Sequence, residues 1–244
     1  MVLLSITFFL VLFWPFDHMY RDFRLETAKA FGQMSIAPFG EVKFRHFFLA
    51  DVLTSAKPIF IDTVAMTCFC VNRLHKEPTD LSYCGKPQIA IGYVISVIPY
   101  WWRFWQCIRR YYDSNDVKNL YNACKYATGI SSALLGIMMH THPKVTGWYW
   151  AWFGMQLVST IFSYAWDLYM DAGLLRCWGA ESFALREKIV YHRFFYYMFI
   201  VVNFALRFVW LFTAILKNNA THYPFLFSPA WPTLCICFEL YRRF

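Results

Sequence analysis

The sequence predicts an all-α membrane protein, a polytopic transmembrane helix bundle, from its composition, its long apolar runs and the distribution of its charges. Of 244 residues, 59% are hydrophobic, 22% are aromatic and only 16% are charged, whereas a soluble domain averages about 25% charged residues. Inside lipid, a helix satisfies its own backbone hydrogen bonds. The alternation that is typical of barrel strands does not occur in this sequence. We therefore expect the lipid bilayer as a partner of this chain.

In chain order, the apolar runs predict five full spans, preceded by a partial span and an interfacial helix. Residues 1–14 are apolar but shorter than the roughly 20 residues that cross a bilayer, and residues 17–45 are polar enough to lie along its surface. The full spans are 47–71, 88–108, 120–139, 148–170 and 189–216, and residues 225–241 form the last apolar segment. The chain, 1–244, is therefore predicted to be a single transmembrane domain.

The third span, 120–139, contains several small residues. These are Gly129, Ser131, Ser132, Ala133 and Gly136. Small side chains let the backbones of neighbouring membrane helices approach closely. We therefore expect this span to pack tightly against another helix.

The net charge of +8 is explained better by the loops than by nucleic-acid binding. When alternate loops are assigned to opposite sides of the membrane, one side has 14 Lys and Arg residues and the other has five. Such an excess marks the cytoplasmic side. We therefore expect no nucleic-acid partner.

No group of residues forms a convincing catalytic or metal site in the sequence. The two Cys-x-Cys pairs, at 68–70 and 235–237, lack a partner pair at a spacing that zinc sites use. His140 and His142 project to different faces of a helix end. Neither a Gly-rich phosphate loop nor a Ser-His-Asp set stands out. The prediction is a protein without enzymatic activity, without a cofactor and without a metal ion.

Two acids, Asp167 and Asp171, lie at the end of the fourth predicted span. Their spacing of four places both carboxylates on one face of a helix. Inserting a carboxylate costs roughly 2.5–3.5 kcal/mol at the bilayer centre and less toward its edges. These acids are therefore expected to meet water, a cation or a polar cavity.

Four cations and four acids lie within or at the ends of the predicted spans. The cations are Lys57, Arg103, Lys125 and Arg207, and the acids are Asp51, Asp62, Asp167 and Asp171. One interpretation is structural ion pairing between helices. An apolar core would hold the helices together without the desolvation penalty, so structure alone explains all eight residues poorly. The alternative is a pathway, because ionisable residues in membranes usually face the bundle interior.

Cations balanced by acids in such a pathway suit a small oxyanion. The planar fork of arginine donates two parallel hydrogen bonds to phosphate, and lysine acts as a point charge. Acids keep the anion from binding too tightly for release. Trp210 follows Arg207 by about one turn, and it is a candidate gate, although a packing or cation–π role explains it equally well.

Six ordered motifs resemble one family of membrane proteins. They are FFLADxL at 47–53, IPxWxRFxQCxRRY at 98–111, NAxKY at 122–126, WDLxMDxGL at 166–174, LRExIVY at 185–191 and LRFxW at 206–210. Together they resemble the EXS membrane domain of the SPX-EXS phosphate exporters, a family that includes the xenotropic and polytropic retrovirus receptor. The resemblance covers nearly the whole chain.

The resemblance implies export of inorganic phosphate through a channel-like pathway in the helix bundle. The positions that match anion-binding residues of the family are Asp51, Arg103, Lys125, Tyr126, Asp167 and Arg207, with Arg242 and Arg243 at the cytoplasmic mouth. Trp210 matches a gating tryptophan, and Asp171 is given a supporting role. The resemblance also makes a homodimer a candidate assembly.

Three departures from the family pattern bear on this expectation. The family usually carries an N-terminal SPX domain that senses inositol pyrophosphates, and we expect none in this chain. It has fewer spans than its longer relatives, so we expect a truncated or SPX-less form. Gly92 stands where the pattern suggests another arginine, three turns before Arg103.

Two alternative functions share this fold. An SPX-less EXS protein of the Golgi would recycle lumenal phosphate and so support glycosylation and protein retention. A non-transporting membrane subunit would act through interactions with other proteins. The expected location is accordingly the plasma membrane or the Golgi and related endomembranes.

Overall fold

The computed structural model describes residues 7, 10, 11, 14, 16, 17, 20–74, 86–176, 183–186, 189–216, 231, 233–235, 237 and 238. Every regular element within these ranges is a helix, which confirms the predicted all-α class. The helices are α1 (Arg21–Ser35), α2 (Phe44–Ser55), α3 (Lys57–Leu74), α4 (Lys86–Ser114), α5 (Val117–Thr141), α6 (Thr146–Trp166), α7 (Arg193–Arg207) and α8 (Val209–Leu216). The chain divides into two compact units, Met1–Gln156 and Leu157–Phe244, and each is described by itself.

Fewer of the described helices are long and apolar enough to cross a membrane than the five full spans that the sequence predicts. One helical stretch, Arg193–Leu211, is long and apolar enough to cross a membrane by itself, and it comprises α7, the turn residue Phe208 and the start of α8. The pair Phe44–Ser55 and Ile59–Asn72 qualifies only when taken together, and the pair is bent by 62°. The predicted count of five is therefore not confirmed. The predicted spans contain Tyr and Trp residues, whose hydroxyl and indole N–H groups make them less apolar than aliphatic side chains.

Three of the predicted continuous spans have interruptions in the structure. The 47–71 segment is divided at Ala56, which ends α2 just before α3 begins. The 148–170 segment ends in a wide π-helical turn, Asp167–Asp171, and the 189–216 segment is divided at Phe208. These interruptions place ionisable residues at helix ends rather than in the middle of regular helices.

Helix α4 is the centre of the first unit, where it packs against α1, α2, α3 and α5. Glycines allow the closest of these contacts. A Cβ atom on Gly129 would lie 2.6 Å from Tyr100 Cδ1, and one on Gly136 would lie 2.8 Å from Tyr93 Cε1. These distances confirm the prediction that small residues in this segment permit close helix packing.

Gly92 has a similar role on the other side of α4. A Cβ atom at this position would lie 2.9 Å from Ile61 Cα, a backbone atom that cannot rotate away. The close approach of α3 and α4 leaves no room for the arginine that the family pattern suggests there. The departure therefore has a steric explanation in this chain.

An ion pair connects α1 to α2 within the first unit. Arg45 Nη1 donates a hydrogen bond to Glu26 Oε2 at 2.5 Å. This hydrogen bond lowers the pKa of the exposed Glu26 carboxyl below its ordinary value. The contact supports α2, which has Asp51 on its second half.

The second unit has a small apolar core of its own. Leu168, Leu174 and Leu185 are buried together, and Tyr164 and Ile200 pack against them. The Tyr164 hydroxyl donates to the Ile200 carbonyl at 3.2 Å, which holds the end of α6 beside α7. Asp167 follows directly on this end of α6 and is thereby placed near the C-terminus of α7.

Candidate functional site

Three helices of the first unit bring ionisable residues together. We call the group the Arg103 cluster, and its members are Asp51, Arg103, Gln106, Lys125 and Tyr126. Asp51 lies on α2, Arg103 and Gln106 on α4, and Lys125 and Tyr126 on α5. The spacing of three between Arg103 and Gln106 places both on the same helix face.

A tyrosine hydroxyl connects the charged residues of the Arg103 cluster. Tyr126 donates a hydrogen bond to Asp51 Oδ1 at 2.6 Å and accepts one from Arg103 Nε at 3.1 Å. Arg103 Nε lies 3.4 Å from the same Asp51 oxygen. The structure therefore brings together three residues that the sequence predicted to share a site.

Neutral groups surround most of the Arg103 guanidinium. Arg103 is 5% exposed, and its Nη1 donates to Gln106 Oε1 at 3.2 Å. The guanidinium carbon lies 4.9 Å from the centre of the Tyr126 ring and 5.3 Å from that of Phe47. Aromatic faces and amide oxygens attract a buried cation without neutralising its charge.

Lys125 adds a second positive charge beside this group. Its Nζ lies 4.8 Å from the centre of the Tyr126 ring, and the side chain is half-buried. The Arg103 cluster thus contains two cations, Arg103 and Lys125, and one acid, Asp51. Its formal charge is positive, and this favours an anion.

Two further members of this environment escaped sequence-based prediction. Gln106 is 1% exposed, and its Nε2 donates to the His46 carbonyl at 3.3 Å. Phe47 stacks over Arg103. The signal for Gln106 was its position three residues after Arg103 in an apolar run, while nothing local indicates Phe47.

The second unit contains a separate group, the Arg207 cluster, formed by Asp167, Asn203 and Arg207. Arg207 donates to Asp167 Oδ2 from Nε at 3.0 Å and from Nη2 at 2.5 Å. Asn203 Nδ2 donates to the same oxygen at 3.3 Å. Both charged side chains are nearly buried, with 14% of Arg207 and 13% of Asp167 exposed. Two charged donors and one neutral donor thus converge on one carboxylate oxygen.

Both partners of this ion pair lie where a helix becomes irregular. Asp167 begins the π-helical turn, and Arg207 is the last residue of α7 before the interruption at Phe208. The C-terminal end of a helix has a negative partial charge that favours a cation. Single π turns often occur at functional sites.

Trp210, the predicted gate, lies on α8 just beyond this interruption. Its indole Nε1 donates to Thr160 Oγ1 at 3.1 Å, and Thr160 is buried. The hydrogen bond anchors Trp210 to α6. The gating role itself stays a prediction.

The remaining predicted residues lie outside these contacts or outside the described ranges. Asp171 ends the π turn and is exposed, and Asp62 on α3 is also exposed. Lys57 Nζ lies 5.2 Å from the centre of the Tyr93 ring. Arg242 and Arg243 fall outside the residues that the structure describes. The single passage shared by all predicted site residues therefore stays a prediction.

Buried arginine–aspartate groups among apolar helices characterise a membrane protein with a polar interior. The EXS family model matches residues 1–244, and the chain belongs to the EXS family. This result confirms the resemblance seen in the six motifs.

Three curated relatives illustrate the similarity. The chain is 31% identical over 252 residues to SPX and EXS domain-containing protein 1 of Dictyostelium discoideum, with 100% of this chain and 26% of that protein covered. It is 30% identical over 246 residues to Solute carrier family 53 member 1 of Mus musculus, covering 94% of this chain and 35% of that protein. It is 32% identical over 206 residues to Phosphate transporter PHO1-2 of Oryza sativa subsp. japonica, covering 82% of this chain and 25% of that protein. The chain thus spans about a quarter to a third of the length of these relatives.

Proposed function

We propose that this chain conducts inorganic phosphate across a membrane in the direction of export, through a polar pathway in its helix bundle. The observation that carries the proposal is the buried pairing of Arg207 with Asp167. A buried ion pair is poor evidence for a stabilising role, because packed apolar residues often serve as well. The rice relative is named as a phosphate transporter, and this supports the same substrate.

The Arg103 cluster supplies the attraction for the anion. Its surplus positive charge is carried by Arg103 and Lys125, and its tyrosine hydroxyl can turn from Asp51 toward a phosphate oxygen. Asp51 moderates the attraction, so that phosphate is bound but not trapped. The bound anion keeps all its covalent bonds, and the protein only replaces part of its hydration shell.

The Arg207 cluster has to exchange partners for an anion to bind there. Phosphate would replace the Asp167 carboxylate as the acceptor of the hydrogen bonds from the Arg207 guanidinium. When the anion leaves, the hydrogen bonds between Arg207 and Asp167 would form again. Trp210 on α8 would then act as the gate, with Asp171 in a supporting role, and Arg242 and Arg243 would lie at the cytoplasmic mouth.

Phosphate release from liposomes tests the proposal. The purified chain is reconstituted with radiolabelled phosphate inside, and release is compared with that from protein-free vesicles. Arg207→Ala and Asp167→Ala should each reduce release strongly. Arg176→Ala is the matched control, because Arg176 is exposed, belongs to neither cluster and donates to the Tyr169 carbonyl. Release that is unchanged in both cluster variants would refute the proposed site.

A further inference from the structure

Asn203 is a buried amide beside the Arg207–Asp167 pair, and sequence analysis assigned it no role. It lies on α7, four residues before Arg207, so both side chains share one helix face. It is 2% exposed. Its Nδ2 donates to Asp167 Oδ2 at 3.3 Å.

The oxygen atom of this amide, Asn203 Oδ1, differs from the nitrogen in its hydrogen bonding. Within the part of the chain that the structure describes, no donor reaches Asn203 Oδ1, although the atom is buried. Buried side-chain acceptors nearly always have a hydrogen-bond partner. An acceptor buried beside an ion pair therefore points to a ligand that brings its own donor.

The orientation of the amide follows from its neighbour. If the oxygen and nitrogen were exchanged, the amide oxygen would face the Asp167 carboxylate, and two acceptors would repel each other. The Nδ2 group must therefore face Asp167, and Oδ1 is the atom left for a ligand. The cluster thus presents strong donors on Arg207 and one neutral acceptor on Asn203.

This combination matches one kind of tetrahedral anion. Hydrogen phosphate has anionic oxygens for a guanidinium and also a P–OH group that can donate a hydrogen bond. Sulfate near neutral pH has only acceptors, so one of its oxygens would face Asn203 Oδ1 without a proton between them. A site built around a ligand hydroxyl discriminates strongly against an analogue that lacks it.

We propose that Asn203 is a specificity-determining residue that accepts a hydrogen bond from the P–OH group of hydrogen phosphate while Arg207 binds its anionic oxygens. This inference rests on the proposed phosphate pathway. It adds to that proposal a reason for choosing protonated oxyanions over fully deprotonated ones of similar size.

Monofluorophosphate is the sharpest probe, because fluorine replaces the hydroxyl group in a tetrahedral dianion of nearly the same size. Competition against radiolabelled phosphate is measured in liposomes without phosphomonoester lipids, at a mildly alkaline pH where hydrogen phosphate predominates. For the unchanged chain, monofluorophosphate and sulfate should each compete about tenfold more weakly than unlabelled phosphate, as expected for one lost hydrogen bond and one repulsive contact.

Asn203→Leu removes both the Oδ1 acceptor and the Nδ2 donor to Asp167, and it keeps a side chain of similar size. In this variant, phosphate and monofluorophosphate should compete within about twofold of each other, because neither gains the P–OH bond. Tyr197→Phe is the matched control, since it removes one hydrogen bond of α7, to the Phe183 carbonyl, away from the amide. Tyr197→Phe should keep the preference of the unchanged chain for phosphate over monofluorophosphate.

The outcomes separate the two proposals. No phosphate release by the unchanged chain would overturn the proposed function, and the role of Asn203 with it. Phosphate release with equal competition by phosphate and monofluorophosphate would overturn only the role of Asn203. This second comparison needs no variant, so it decides the matter even if Asn203→Leu does not fold. A preference that persists in folded Asn203→Leu would also overturn the role.

Discussion

The two arginine–aspartate clusters use the same residue types but hold their arginines differently. Arg103 is bound mostly by neutral groups, including the Tyr126 hydroxyl at 3.1 Å, and lies 3.4 Å from Asp51. Arg207 donates two hydrogen bonds to one oxygen of Asp167, at 3.0 and 2.5 Å. The first arrangement leaves positive charge available to an anion, whereas the second uses it in a close ion pair.

Under the proposed function, this difference assigns the two clusters separate tasks. The Arg103 cluster lies on regular helices and has a second cation, Lys125, so it suits steady attraction of an anion. The Arg207 cluster is neutral and lies at a π turn and a helix interruption, so it suits a contact that opens and closes. Breaking each cluster in turn tests this division of roles.

The largest expected effect comes from breaking the Arg207 pair. Asp167→Ala removes the carboxylate that accepts two hydrogen bonds from the nearly buried Arg207, which should lower the free energy of unfolding by about 3–5 kcal/mol. Phosphate release from the folded fraction should fall about 10- to 100-fold. Thermal unfolding in detergent and release from liposomes measure the two effects.

A charge exchange distinguishes a functional pair from a structural one. The double variant Asp167→Arg with Arg207→Asp restores opposite charges, so part of the lost stability should return. Transport should not return, because the guanidinium no longer lies at the end of α7. Recovery of full phosphate release in this double variant would show that the pair is only structural.

The next largest effect is expected at Arg103. Arg103→Met removes the charge but keeps a long apolar side chain against Phe47 and Tyr126. Phosphate release should fall about tenfold, while the free energy of unfolding should fall by only about 1–3 kcal/mol, because most of the lost partners are neutral. Lys118→Met on the exposed start of α5 is the matched control. A loss of stability as large as that of Asp167→Ala would erase the proposed difference between the clusters.

A smaller effect is expected from the hydroxyl that connects Asp51 and Arg103. Tyr126→Phe removes two hydrogen bonds and keeps the ring over the guanidinium. The phosphate concentration for half-maximal release should rise about fivefold, which corresponds to about 1 kcal/mol of binding free energy. Tyr149→Phe in α6, outside the cluster, should leave this concentration unchanged. An equal shift in both variants would assign the effect to general packing.

The smallest effect is expected at the indole nitrogen of Trp210. Trp210→Phe removes the hydrogen bond to Thr160 but keeps a large aromatic ring. Release should change by about twofold, since a gate depends mainly on the bulk of the side chain. Trp210→Ala should increase leakage much more. If both variants leaked equally, the hydrogen bond rather than the bulk would hold the gate closed.

Local sequence signals predicted part of the candidate site. Asp51, Arg103 and Tyr126 were predicted to share a site, because ionisable residues in apolar runs rarely face lipid and because the motifs resembled one family, and the structure places the three in contact. Gln106 and Asn203 were not predicted, because the prediction rested on ionisable residues in apolar runs and an amide side chain carries no charge. Their spacing of three and four from an arginine, on the same helix face, is the signal that would have found them.

The helix interruptions were beyond sequence-based reasoning. The run 189–216 is apolar throughout and reads as one span, yet the structure divides it at Phe208. The ring of Phe208 stacks on Phe204, one turn earlier on the same chain segment, at 4.5 Å and packs against Tyr164 of α6. The contact with Tyr164 joins residues far apart in the sequence, so no local pattern predicts it.

The sequence by itself determined the helical class, the membrane character and the set of ionisable residues that must avoid lipid, because each follows from composition and from apolar runs along the chain. Only the tertiary structure decided which acid meets which cation. Asp51 and Arg103 are 52 positions apart, and Asp167 and Arg207 are 40 apart, so neither pairing leaves a local pattern. Those pairings depend on how α2 packs against α4 and how the end of α6 packs against α7, and such contacts depend on side-chain shape rather than on periodicity.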